Sequence, residues 1–415
     1  MSDSLTGTTI DRRERRSAGN HHGVAGMKKG WETKTLGEVL QKTETVNPLQ
    51  TPNTEFDYID VSSVSNATFQ IEATQRLKGK DAPSRARKLV KTNDILFATI
   101  RPTLQRIAVV PDHLDQQVCS TGYFVLRVKP GIDHRFIFHF LFTEIFAKQM
   151  ESLQKGASYP AVTDGDVRAQ VISVPPLPEQ QRIVSVLDKA FAGLATAQAN
   201  AEKNLQNARA LFESHLQSVF TQCGNGWVEK TLGDLCETTQ GVQIPKNLHY
   251  KTGGVNLRRY LYISDFDHDE NLKFVEDIYP KKRVTEDDLI VANTGATAGK
   301  IFRGIDGVLS NNLFKVTINH AFVDGDFLYH FVTSCLFKEH QKKIVKGTAN
   351  PHMGHENFKS TPISIPTLKM QLEEVGNLDA LETETKRLEN LYQQKLSALL
   401  ALKKSLLHQA FTGNL

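Results

Sequence analysis

The chain repeats itself, and that repetition limits its fold more than any other feature of its 415 residues. "WETKTLGEV" (Trp31–Val39) returns as "WVEKTLGDL" (Trp227–Leu235), 196 positions later. "NDILFAT" (Asn93–Thr99) returns as "DDLIVAN" (Asp287–Asn293) after 194, and "KGASYP" (Lys155–Pro160) as "KGTANP" (Lys346–Pro351) after 191. "VPPLPEQ" (Val174–Gln180) is echoed by "IPTLKMQ" (Ile365–Gln371), and Phe220-Thr221 by Phe411-Thr412. The order never changes and the spacing barely drifts. One chain therefore holds two copies of one structural unit.

Each copy has two unlike parts. The first carries short β-rich runs, "FDYIDVSSV", "DILFATI", "RIAVVP" and "GYFVLRV", matched later by "YLYISDF", "DLIVAN" and "LFKVTI". Strands this short, broken by Gly, Asp and Pro, predict an α+β (mixed α/β) globule rather than a doubly wound sheet. "RFIFHFLFTEIFAKQMESL" and "DFLYHFVTSCLFKEHQKKI" read as amphipathic helices at matching places.

The second part is one long helix. No proline interrupts Pro178–Phe220, and Pro178 itself fits a first helical turn. Such a helix would be about 64 Å long. In the second copy Leu378, Leu381, Thr385, Leu388, Tyr392, Lys395, Leu399, Leu402 and Leu406 step by three and four, as in a coiled-coil seam. In the first, Ile183, Val186, Leu187, Ala190, Phe191 and Leu194 form a wider stripe that runs into small alanines. Two such stripes bury each other most simply as an antiparallel pair. The expected organisation is a polar segment over 1–26, a globule over 27–176, a helix over 177–224, a second globule over 225–366 and a second helix over 367–415. The opening segment, with its "RRERR" run, lacks the apolar core of a signal peptide and reads as disordered or over-extended.

Composition sets outer bounds. A net charge of +4 mildly favours an anionic partner. Apolar runs fall short of the roughly 20 residues of a membrane span. The four cysteines form no C-x-x-C pair, which suits free thiols in a cytoplasm.

The stretch "ANTGATAGKI" (Ala292–Ile301) looks at first like a phosphate-binding loop. A Walker A loop needs four residues between its glycines and a hydroxyl after the lysine. Gly295 and Gly299 are one residue too close, and Ile301 stands where Ser or Thr belongs. Catalytic signatures fail in the same way. The Pro-Pro pair at Pro175 is flanked by Val174 and Leu177, unlike an adenine methyltransferase motif, and "PDHLDQ" lacks the E-x-K of a nuclease. His249, His268, His320, His330, His340, His352 and His355 show no metal-ligand spacing, so no metal site is expected.

"GWETKTLGEV", "SRARKLVKTNDILFATIRPTLQRIAVV", "CSTGYFVLRV", "GASYPAV" running into "VPPLPEQQRIVSVLD", and "ANTGATAGK" together resemble the specificity subunit of type I restriction–modification enzymes. The resemblance covers residues 27–415. It implies two target recognition domains separated by two long antiparallel coiled-coil helices, each domain reading half of a split site in double-stranded DNA. It also implies a non-catalytic chain in the bacterial or archaeal cytosol, with two methyltransferase subunits and two restriction subunits as partners. S-adenosylmethionine, ATP and magnesium would then sit on those partners, and none on this chain. The alternative is a stand-alone DNA methyltransferase or nuclease with an unrecognised active site.

On this reading DNA contact falls to residues at equivalent places in the two copies. Arg85, Arg87 and Lys88 precede one strand, and Lys281, Lys282 and Arg283 precede its counterpart. Arg101 and Arg106 flank one loop; Thr294, Gly295, Lys300 and Arg303 belong to the other. Arg suits a guanine edge and Lys suits phosphate. Tyr159 and Asn350 precede equivalent prolines, and either base contact or loop packing accounts for them. Ile183, Leu187, Leu378, Leu381, Leu388, Leu399, Leu402 and Leu406 are the expected helix interface.

The seam makes a prediction. A heptad inserted at matched points of both helices keeps the stripe in register and lengthens each by about 10 Å, roughly three base pairs of duplex. A four-residue insert should be tolerated better than a two-residue one. An active lengthened variant should methylate sites with a longer spacer, read by sequencing modified adenines. Retention of the original spacer contradicts the seam as a ruler.

Overall fold

The computed structural model describes residues 29–222, 224–268, 270–344 and 352–415. Asn350 and the 1–26 segment lie outside these residues. Two compact units emerge: one runs from the first described residues to Ala199 and takes in Ser397–Leu415, and the other is Asn200–Leu396.

In the first unit, β1 (Glu32–Thr35) leads into the short α1 (Leu36–Val39). A capping box starts that helix: Thr35 Oγ1 accepts from Glu38 N–H, and Glu38 accepts from Thr35 N–H. Then follow β2 (Glu55–Ile59), β3 (Gln75–Lys78), β4 (Ala86–Leu89), β5 (Ile95–Ala98), β6 (Ile107–Val109), β7 (Val118–Ser120) and β8 (Tyr123–Leu126). Helices α2 (His134–Phe140), α3 (Glu144–Leu153) and α4 (Asp164–Arg168) precede β9 (Val171–Val174) and the 45-residue α5 (Leu177–Thr221), with Pro178 in its first turn. β1 and β9 pair antiparallel, Glu32 opposite Val174, which closes the unit's beginning onto its end.

Two sheets fill the interior, ordered β3-β2-β7-β4 and β6-β5-β8. β5 lies between two layers, and all four of its residues are buried. Ile95 and Phe97 face a core shared with α2, α3 and α5, whereas Leu96 and Ala98 face Ile59, Cys119, Tyr123 and Val125. A strand covered on both faces has to be apolar throughout, which explains "ILFA".

The second unit repeats this plan. It contains β10 (Val228–Thr231), α6 (Leu232–Leu235), β11 (Cys236–Gln240), β12 (Leu257–Leu261), β13 (Phe274–Glu276), β14 (Arg283–Val284), β15 (Leu289–Ala292), β16 (Ile301–Arg303), β17 (Gly307–Leu309) and β18 (Leu313–Ile318). Then come α7 (Gly325–Thr333), α8 (Cys335–Ile344), α9 (His355–Lys359), β19 (Pro362–Ile365) and the 45-residue α10 (Leu368–Thr412). Sheet β13-β12-β17-β14 matches β3-β2-β7-β4 strand for strand, including the parallel pair at its centre. β15 splits its faces as β5 does, Leu289 and Val291 toward the helices and Ile290 and Ala292 away from them. One addition is β11, a full strand beside β18 where the first unit has only a bridge between Leu40 and Val128.

Each unit grips its long helix by the same pair of devices. The Gln180 side chain, 1% exposed, accepts from Asp133 N–H (2.8 Å) and donates to the carbonyls of Gly131 and Pro175. Gln371, fully buried, does the same with Asp324 N–H, Phe322 and Pro366. About two turns further on, His139 Nε2 lies 2.9 Å from Asp188, and His330 Nε2 lies 3.0 Å from Asp379. Burial, with Arg135 and Lys403 nearby, holds the His139 imidazole down to about 4. It is therefore neutral near pH 7 and donates to Asp188.

Within each unit the long-helix segments pack together. Ile183, Val184 and Leu187 share a core with Leu407 and Ala410 in the first, and Leu216 and Phe220 with Val375 and Leu378 in the second. Arg182 reaches the carbonyl of Leu415 at 2.7 Å, and Arg209 reaches Glu389 at 2.8 Å, so each pairing is antiparallel. The expected seam holds at Leu378, Leu381, Thr385, Leu388 and Tyr392 and then slips. Leu402 is 48% exposed and Lys395 is exposed, while Leu396, Leu399, Lys403, Leu407 and Ala410 continue the buried stripe. The reason is geometric: at 3.6 residues per turn a helix face drifts about 20° per heptad from a strict 3.5 repeat. In α5, likewise, Val184 rather than Val186 is buried.

The buried glutamines give a second prediction. Gln180→Leu or Gln371→Leu removes three hydrogen bonds and leaves a backbone N–H and two carbonyls in the interior. At about 1–3 kcal/mol per unsatisfied group, each variant should lose at least about 2 kcal/mol, read as a lower denaturant midpoint. Unfolding at the parental midpoint would show that the amides are dispensable.

Candidate nucleic-acid interface

The register of two hairpins aligns the loops that carry Arg101, Arg106, Thr294, Gly295 and Lys300. Phe97 pairs with Ile107 and Val291 with Ile301, so Arg101 corresponds to Gly295, Gln105 to Gly299 and Arg106 to Lys300. The backbone agrees. Arg101 and Gln105 have φ of 51° and 50°, and Gly295 and Gly299 have φ of 80° and 87°. In both loops the N–H three residues after the first left-handed residue returns to its carbonyl: Leu104 to Arg101 at 2.9 Å, Ala298 to Gly295 at 3.0 Å. The glycines of "ANTGATAGK" thus supply two left-handed turns, not a phosphate cradle. The first unit makes the same turns with Arg and Gln, at a cost of roughly 1–2 kcal/mol for each.

A second loop is zipped against each of these. Arg101 N–H donates to the Pro160 carbonyl at 2.7 Å, and Val162 N–H to Thr99 at 3.0 Å. Lys155 and Ala161 exchange both backbone bonds at 2.9 Å, which closes the loop between them. Gly156 turns it at φ 101°, where a Cβ would meet the Tyr159 carbonyl at 3.0 Å. Tyr159 stands 71% exposed at the tip, with the Arg101 guanidinium 5.2 Å from its ring centre. In the second unit Met353 N–H donates to Asn293 at 2.8 Å, and Thr294 bridges to His352.

Most of the other expected cations already have partners within the protein. Arg106 donates to the Val64 carbonyl at 2.7 Å and pins the loop between β2 and β3. Lys300 holds both carboxylate oxygens of Asp267 at 3.0 Å, in the corresponding loop between β12 and β13. The Lys88 ammonium bonds the Tyr123 carbonyl and Asp164, Lys282 bonds the Gln240 carbonyl, and Arg87 bonds Asn47. Arg283 pairs with Asp277 at 2.6 Å, and Arg303 pairs with Asp326 over the Tyr329 ring. Arg85, Lys281 and Arg101 are exposed, and no described residue takes their side-chain N–H groups.

A polar cluster that no sequence motif announces joins α9 to β11 and to the residue after β15. His355 bonds Thr238 Oγ1 at 2.7 Å and Gln240 Oε1 at 2.8 Å, and Asn293 donates to the same Gln240 oxygen at 3.2 Å. Thr238 and Gln240 lie more than a hundred positions before His355, beyond the reach of any local motif.

Burial pushes the thiols of Cys119 and Cys236 up to about 12, so neither is a ready nucleophile. Among the described residues no group of three or more His, Cys, Asp or Glu side chains converges to hold a metal. None of their helices is long and apolar enough to cross a membrane.

Known proteins place this geometry. The family model described as the type I restriction modification DNA specificity domain matches residues 28–205 and 224–398, one match per copy. The EcoDI specificity subunit of Escherichia coli is 25% identical over 180 residues, 43% of this chain and 38% of that protein. The HindI specificity subunit of Haemophilus influenzae is 27% identical over 190 residues, 44% and 40% of the two chains. These alignments span about two fifths of the curated relatives. Two solved structures align over nearly all of the chain. The HsdS subunit from Thermoanaerobacter tengcongensis has a TM-score of 0.68 at 27% identity, covering 95% of this chain and 99% of that one. A chain solved in work on complex assembly and conformational transition of the type I R–M system has a TM-score of 0.82 at 26% identity, covering 94% and 100%. With both copies matched by the family model, the chain belongs to the type I restriction modification DNA specificity domain family.

Proposed function

We propose that this chain is the DNA-reading subunit of a type I restriction–modification complex, each unit recognising one half of a bipartite site in double-stranded DNA. The observation that carries the reading is the repeated hairpin loop, with the same left-handed turns in both copies and a second segment bonded to the base of each, on units that belong to the DNA specificity domain family. Exposed Arg101 and Tyr159 in one unit, and Gly295 with Lys281 in the other, give the two readers different chemistry on one scaffold. Such differences let a single chain read two unlike half-sites. Base edges set the sequence, and the remaining basic residues contribute phosphate contacts.

The chain is non-catalytic on this proposal. Two methyltransferase subunits and two restriction subunits join it, and S-adenosylmethionine, ATP and magnesium belong to those partners. The complex works in the cytosol of its bacterial or archaeal host.

The purified chain, incubated with S-adenosylmethionine and duplex DNA, should show no methyl transfer. Adding the methyltransferase encoded beside it should produce methylated adenines within one two-part motif. Methyl transfer by the pure chain alone would instead favour an enzyme with an unrecognised active site.

A further inference from the structure

The Arg101 backbone adopts a conformation that its counterpart Gly295 adopts without penalty, yet an arginine stands there. A non-glycine residue with positive φ persists where the surroundings over-determine it, and such outliers cluster at functional sites. Here the surroundings are visible. Pro160 fixes the Arg101 N–H, the 155–161 loop is closed by its own pair of backbone bonds, and the guanidinium lies over the Tyr159 ring, 5.2 Å from its centre. The ring borders one side of the guanidinium and leaves its N–H groups open to a ligand. No described residue accepts from those groups, in contrast to Arg106, Arg258, Arg283 and Arg303.

We propose that Arg101, oriented by Tyr159, is the residue that reads a guanine in the half-site of the first unit, through paired N–H donors to O6 and N7 in the major groove. This rests on the DNA-reading assignment above and adds the base and the residue. A planar fork of five donors matches the two adjacent guanine acceptors, whereas a phosphate is served as well by a mobile lysine. An arginine kept on a strained backbone would be superfluous for phosphate. The second unit has no side chain at the equivalent Gly295, so its half-site is read without this contact.

Binding sites are selected from a random duplex pool by the complete complex, with the parent chain and with Arg101→Gly, Arg101→Lys, Tyr159→Phe and Tyr159→Ala. Arg101→Gly should lose the guanine preference at one position of one half-site, with discrimination falling about 5- to 150-fold. The other half-site should be unchanged, and the thermal midpoint equal to or above the parent, since glycine removes the strain. Arg101→Lys should lose the same preference while keeping overall affinity. Tyr159→Phe should keep the preference and Tyr159→Ala weaken it. A parental motif from Arg101→Gly overturns the proposal. So does a uniform loss of affinity across all sequences with a shallower salt dependence, the mark of a phosphate contact. A parent complex with no sequence preference would overturn the DNA-reading assignment itself.

Discussion

A buried amide joins each unit to its long helix. Gln180 and Gln371 sit in the first turn of a long helix and satisfy three backbone groups at the point where the globule meets it. A leucine there would pack as well but leave those groups unpaired. The His139–Asp188 and His330–Asp379 pairs lock a second point along the same helix face. Two fixed points on a rigid rod define an orientation, so the loops at the far side of β5 and β15 inherit a fixed position.

The two copies share several core residues and differ at their loop tips. Leu36 and Leu232, Phe136 and Phe327, Phe146 and Phe337, and Ile172 and Ile363 are identical at equivalent places, all in the two helix-facing cores. At the loop tips the copies differ: Arg101 against Gly295, Gln105 against Gly299. Interior positions are held by packing density, where a change of even one methylene is felt. Exposed positions carry no such constraint, so differences there are available to encode different partners.

The duplication, the apolar central strands and the two long helices were legible because each is a periodic or local pattern. "ILFA" and "LIVA" announce a strand covered on both faces, and the capping residues of α1 and α6 lie three positions apart in the sequence. The fate of the basic residues was not legible. Arg106 bonds carbonyls more than 40 positions away, and Lys300 finds Asp267 at a separation of 33, so both read as free charge until the fold brings their acceptors in. Nor does a sequence disclose that Arg101 and Gln105 are left-handed; only the matching glycines in the other copy hint at it. The helix seam failed at Leu402 because a heptad template was extended past the point where a straight helix keeps its phase.

On the proposed function, the loops of both units form the DNA-reading surface, and a solved structure of the assembled complex on its own site would show it. Residues 100–106 and 156–160 of the first unit should lie against the bases of one half-site, and residues 294–300 of the second against the other, with Arg106 still bonded to Val64 and Lys300 to Asp267. Loops facing solvent, with another surface of the units on the DNA, would contradict it.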